Sequence, residues 1–186
     1  MSLDGIVTRA IVKELNNTIL GGRVDKIYQP EKDEILLNIY NKGNNYKLLI
    51  SSSSNNPRIQ LTNQSKVNPA SPPMFCMLLR KHISGGTILS VEQFHMDRVI
   101  SIDISSIDEL GYPTEKRLIV EIMGKHSNII LIEKDSLKII DSIKRVSQDM
   151  SRIRQVLPGL EYQYPPLQDK RNPLLLNEDE FYDLID

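Results

Sequence analysis

QFHMDRVISIDI, residues Gln93–Ile104, reads as a β-strand with an unusual entrance. Counting by twos, Arg98 shares parity with Ile100, Ile102 and Ile104, while Asp97 shares parity with Val99, Ser101 and Asp103. Successive side chains of a strand point to opposite faces, so the row that starts at Arg98 is the core-facing one. An acid and a base thus stand side by side where an apolar row begins. One reading is a structural ion pair or a solvated strand end, common at sheet rims. The other is functional: Arg98 offers a planar fork to a phosphate or a base, and Asp97 orients it or accepts from a base edge.

Similar runs lie on both sides. RVDKIYQ, EILLNIYN and YKLLISS are separated by PEKD and KGNN, turn chemistry that predicts antiparallel hairpins, and PRIQLT adds a short edge strand. Downstream come TILSVEQF, KRLIVEIM, NIILIE and LKIIDSI, with the polar joint SSIDELGYPTEK as a hairpin loop. Two helices interrupt the strands. In SLDGIVTRAIVKELNNTILGGR, Ser2 or Asp4 can cap the start, Val7, Ile11 and Leu15 form a stripe, and Gly21-Gly22 stops the helix. In NPASPPMFCMLLRKHISGG, Phe75, Leu78, Leu79 and His82 share one face, with prolines before the helix and Gly85-Gly86 after it. Strands grouped around two helices, without regular alternation, predict an α+β fold of antiparallel β-sheets packed with helices.

The chain has 186 residues, 40% apolar and 25% charged, as in soluble globular proteins. No apolar run approaches the roughly 18 residues of a membrane span, and the first residues lack the order of a signal peptide, so no membrane partner and a cytoplasmic location are expected. Net charge is −1, but Glu178, Asp179, Glu180, Asp183 and Asp186 follow the last base. Removing those five from 24 acids leaves 19 against 23 bases, so the preceding body is mildly basic. VLPGLEYQYPPLQDKRNP (156–173), with four prolines, reads as a linker, and LLLNEDEFYDLID as the first turns of a helix from a following module, cut short.

Catalytic and metal chemistry find little support. His82, His95 and His126 do not pair at zinc-site spacings, no GxSxG or P-loop occurs, and the single Cys76 sits among apolar helix residues as an inert core thiol. A second polar constellation is EIMGKHSN, Glu121–Asn128. Gly124 permits a positive-φ turn, so Lys125, His126, Ser127 and Asn128 would project as a donor cluster from a hairpin tip, while Glu121 interrupts a strongly apolar strand. The plainer alternative is a polar hairpin loop with a solvent-facing glutamate.

DGIVTRAIVKEL, GGRVDKIYQPEKDE, PPMFCMLLRKHISGG, MDRVISIDI, DELG, EIMGKHSNIIL and DSIKRVS, in this order, resemble the amino-terminal NFACT-N domain of the RqcH, NEMF and FbpA family. The resemblance implies an NFACT-N domain over residues 1–166, with 167–186 as linker and entry to a helix-hairpin-helix module. It implies that the chain binds tRNA and large ribosomal subunits obstructed by peptidyl-tRNA, recruiting alanyl-tRNA for template-free tailing of stalled chains. The tRNA-recognition residues it carries over are Asp97, Arg98, Glu121, Ile122, Met123, Gly124, Lys125, His126, Ser127 and Asn128. Arg98, His95 or His126 would share in base stacking, since the chain has ten aromatics and no tryptophan.

The family fold is itself similar to the amino-terminal domain of formamidopyrimidine-DNA glycosylases. Those enzymes begin with a nucleophilic proline and a glutamate; this chain begins Met1-Ser2-Leu3-Asp4, so no catalysis, cofactor or metal is expected. Two further readings are a fibronectin- or fibrinogen-binding surface adhesin, suggested by the name of some relatives, and a glycosylase-like DNA-binding protein.

Overall fold

A computed structural model of the chain describes residues 3–166. Nine strands form one antiparallel sheet in the order β4-β3-β2-β1-β5-β6-β7-β8-β9. They are β1 (Arg23–Tyr28), β2 (Glu34–Asn41), β3 (Asn44–Ser51), β4 (Arg58–Leu61), β5 (Thr87–Gln93), β6 (Val99–Ile107), β7 (Pro113–Glu121), β8 (Asn128–Glu133) and β9 (Ile139–Ser142). Helix α1 (Gly5–Thr18) precedes them and α2 (Met74–Ile83) joins the two halves. The α+β class is as expected, although one continuous sheet stands where several were anticipated.

Hairpin chemistry explains the order. Lys42 and Gly43 both have positive φ (48° and 82°) between the paired Asn41 and Asn44, the two-residue turn whose twist matches its strands. The glycine pairs do more than stop helices. Gly21 and Gly22 exchange backbone hydrogen bonds with Ile88, and Gly85 and Gly86 with Val24, each at 2.7–2.9 Å, so the pairs stitch the half-sheets where the β1–β5 ladder is only one residue pair long. A Cβ on Gly86 would lie 2.8 Å from the carbonyl oxygen of Ser105, too close for any other residue.

Asp4 caps α1, its carboxylate accepting from the Val7 amide at 2.8 Å. The α2 stripe is rotated from expectation: Phe75, Cys76, Leu79 and Ile83 are buried, and Leu78 and His82 lie at its margin, because the helix meets β1 and β6 together. The main core joins both half-sheets, with Ile35, Leu37, Leu48 and Ile50 from one and Ile100, Ile102, Ile104, Leu118 and Val120 from the other. Truncating one such isoleucine to alanine would cost about 2–5 kcal/mol.

The opposite face of the β6–β9 half is also covered. Val99, Ile119, Ile130, Ile132 and Ile139 form a second, smaller core with Val156 and Tyr162. This corrects the linker reading for its first part: Val156 pairs with Val146, Lys138 with Glu161, and Tyr162 is buried. Two anchored side chains hold a proline-rich segment down without regular structure. Residues 167–186, expected as linker and helix entry, lie outside the described residues.

Candidate nucleic-acid interface

Four segments converge at one end of the sheet: the start of α1, the Phe94–Arg98 turn between β5 and β6, the β7–β8 tip, and the loop after β3. Leu3, Ser54, Asn55, Asn56, Pro57, Arg98, Ile122 and Gly124 line an open cleft there of about 380 Å3. Local geometry is tightly fixed. The side-chain nitrogen of Gln93 donates to the carbonyls of Gly5 (2.9 Å) and Asp97 (2.8 Å), tying the turn to the helix. A Cβ on Gly5 would sit 2.0 Å from the Met96 carbonyl oxygen, so only glycine lets α1 approach this closely. His95 takes a positive φ of 50° to turn the chain.

Asp97 and Arg98 do not form the ion pair of the plainer reading. The Asp97 carboxylate accepts from the Arg98 backbone amide at 2.8 Å, and the Arg98 carbonyl accepts from the Ile122 amide at 2.9 Å. Among the described residues no carboxylate pairs with the Arg98 guanidinium or the Lys125 ammonium. The backbone of Arg98 is locked across from Ile122 while its half-buried side chain borders the cleft.

The EIMGKHSN segment divides into a presented part and a structural part. Gly124, at φ 54°, opens a 3-10 turn over Gly124–His126 that exposes Lys125 and His126. Ser127 and Asn128 were expected to project with them but are buried. The Ser127 hydroxyl accepts from the Met123 amide at 2.8 Å, and the Asn128 side chain donates to the Lys144 carbonyl at 2.9 Å while accepting from the Ile129 and Lys144 amides. They shape the tip from beneath. Ile122 is likewise buried, and Met123 is half-buried beside it.

Glu121 is not solvent-facing. Arg154 grips its carboxylate with two nitrogens at 2.6 and 2.7 Å, and the Tyr162 hydroxyl donates to it at 2.6 Å. Burial opposes the Arg154 charge, but the Glu121 hydrogen bond and charge outweigh it and raise its pKa; burial and then Glu121 also push the Tyr162 phenol up. Sequence reasoning found neither partner, since both arrive from more than 30 positions downstream with no local pattern. It also missed Asn55, Asn56 and Pro57, where the polar run SSSSNN is the only available signal. Lys144 bonds the Ser52 carbonyl, bringing that loop against the β8–β9 end.

Fold and site together define an antiparallel α+β module with an open cleft at one end, bordered by a guanidinium without a carboxylate partner among the described residues and by a basic hairpin tip. The sequence model of the NFACT N-terminal and middle domains matches residues 4–186. The Rqc2 homolog RqcH of Bacillus subtilis is 48% identical over 180 residues, covering 97% of this chain and 32% of that protein. The mouse ribosome quality control complex subunit NEMF is 30% identical over 129 residues, covering 69% of this chain and 11% of that protein. The N-terminal structure of the fibronectin/fibrinogen-binding protein from Streptococcus suis superposes with a TM-score of 0.93 at 40% identity, covering 99% of this chain and 69% of that one. The chain belongs to the NFACT-N family, whose relatives include RqcH and NEMF ribosome quality control proteins. It spans about a third of the length of the bacterial relatives it matches.

Proposed function

We propose that this chain is the tRNA- and large-subunit-binding module of a cytoplasmic ribosome-associated quality-control factor, which brings alanyl-tRNA to subunits obstructed by peptidyl-tRNA for template-free tailing. The observation that carries this reading is the pairing pattern at the sheet end: Arg98 borders an open cleft with no carboxylate partner among the described residues, beside the exposed Lys125 and His126. A fixed, unneutralised guanidinium next to amide-rich loops suits splayed RNA bases and phosphates. Of the ten residues proposed for recognition, Asp97, Arg98, Met123, Gly124, Lys125 and His126 have accessible surface for direct contact. Glu121, Ile122, Ser127 and Asn128 act by holding those six in place. The module has no catalytic role in this reading, and any glycosylase-like ancestry contributes a nucleic-acid-binding frame alone.

Co-sedimentation with large subunits carrying peptidyl-tRNA tests the proposal. The wild-type chain should pellet with them and retain tRNA, and Arg98→Ala or Asp97→Ala should weaken retention. Wild-type retention by both variants would end it. Binding to fibronectin with no RNA association would favour the adhesin reading instead.

A further inference from the structure

A second cleft, of about 470 Å3, lies away from the first, on the β1–β3 face. Its lining combines Lys26, Lys47, Asn38, Tyr46, Thr62 and Asn63. Lys26, Asn38 and Lys47 are direct cross-strand neighbours, Lys26 opposite Asn38 and Asn38 opposite Lys47, so all three side chains stand on one face. With strands 4.7–4.9 Å apart, the two lysines flank the asparagine at roughly 10 Å from each other. A bulge creates this row. The β1 register slips between Val24 and Lys26, leaving Asp25 as the extra residue, so Val24 and Ile27 both reach the core and Lys26 turns outward opposite Asn38.

The charge balance of the cleft favours an anion. Its one acid, Asp25, is held by Arg23 at 2.6 Å, whereas Lys26 has no carboxylate partner among the described residues, and Lys47 donates only to the Ser65 hydroxyl at 2.7 Å. The Asn38 carboxamide oxygen is buried with no hydrogen-bond partner among the described residues. An acceptor left unpaired at the wall of a polar cleft is costly, and rotation about its terminal bond offers it to an incoming donor. Cations for phosphates and amides for a base edge suit single-stranded RNA, while the Tyr46 ring, opposite Ile39, packs on the core side of the sheet.

We propose that this face is a second RNA-binding subsite, taking two neighbouring phosphates, one at each lysine, and the nucleotide between them from an unpaired RNA segment; it rests on the reading of the chain as an RNA-binding module. Residues 54–57 of the first cleft precede β4, and Leu61 at its end with Thr62 and Asn63 after it line the second, so the four-residue strand links the two sites.

The test uses the 186-residue chain, a uridine hexanucleotide and unfractionated tRNA, with Lys26→Ala/Lys47→Ala, Lys26→Arg/Lys47→Arg and Arg98→Ala compared with wild type. The alanine pair should weaken hexanucleotide binding about tenfold and flatten its log–log salt slope by about 1.4, as expected for two lost phosphate contacts to a single strand. The arginine pair should restore both, and ultraviolet crosslinking should map to the β1–β3 peptides that carry Lys26, Asn38 and Lys47. Equal melting temperatures establish that the variants fold; should the alanine pair melt early, each single alanine substitution decides, at about half the slope change. Unchanged affinity and slope, or crosslinks confined to the Arg98 cleft, would overturn the subsite, as would capture of an acidic protein by this face with no RNA crosslink. Loss of tRNA binding in Arg98→Ala alone would leave the proposed function standing while the subsite falls. Loss in the lysine pair alone would support the subsite and remove Arg98 from recognition.

Discussion

Arg98, whose carbonyl bonds the Ile122 amide, and Arg154, which grips the adjacent Glu121, carry the same guanidinium and are treated in opposite ways. Arg154 meets Glu121 with two nitrogens and also donates to the Gln163 carbonyl at 2.8 Å, leaving its side chain 15% exposed. Arg98 borders an open cleft with no carboxylate partner among the described residues, though Asp97 is its immediate neighbour. Arg117 repeats the first pattern, bonding Asp103 at 2.7 and 3.1 Å. Arg117 and Arg154 meet carboxylates and are largely buried, whereas Arg98 at the cleft has no carboxylate partner among the described residues, the neighbouring Asp97 carboxylate being engaged by a backbone amide.

The comparison is most severely tested at Glu121. Glu121→Ala strands Arg154 and Tyr162 around a vacated site, and removing one partner of a buried pair costs about 3–5 kcal/mol. Urea unfolding should show that loss, and a loss below 1 kcal/mol would mean that the cluster is not structural. Gly5→Ala comes next. The added methyl collides with the Met96 backbone, and overpacking of this kind costs about 1–3 kcal/mol, with the α1 start and the Phe94–Arg98 turn losing hydrogen-exchange protection first. A globally uniform loss of protection would contradict the tie between helix and turn.

A smaller effect is expected at Asp103. Burial opposes its charge, but Arg117 and Lys134 prevail and hold its pKa below the usual carboxylate value. A depressed native pKa means that the unfolded state binds the proton more readily, so the stabilisation is present above about pH 4 and fades as pH falls through the lower native value. Acid unfolding of Asp103→Asn should therefore show a shallower pH dependence below pH 4 than wild type. An identical profile would remove the pair from the acid response.

Strand positions and both helices were legible in the sequence because alternation, prolines, glycines and the KG turn are local signals. The parity of Arg98 with Ile100, Ile102 and Ile104 also held, since β6 is free of bulges in its ladder with β7. Continuity of the sheet was not legible: it depends on glycine pairs 64 positions apart meeting at a seam, as Gly21 and Gly85 do. The geometry of the EIMGKHSN segment was legible only in part for the same reason. Gly124 announced its turn locally, whereas Glu121 and Asn128 meet Arg154, Tyr162 and Lys144, which only the folded chain brings near. The bulge at Asp25 was invisible too, because one extra residue shifts parity without altering composition.

The smallest expected change in stability accompanies the largest expected change in binding, and both can be read on one sample. Arg98→Ala should melt with the wild-type chain, within the roughly 0.5 kcal/mol typical of surface substitutions. Its tRNA affinity should fall by about tenfold or more, since a hydrogen bond to a charged group contributes about 1.5–3 kcal/mol. Wild-type tRNA affinity together with a lowered melting temperature would contradict the account, making Arg98 one more structural arginine.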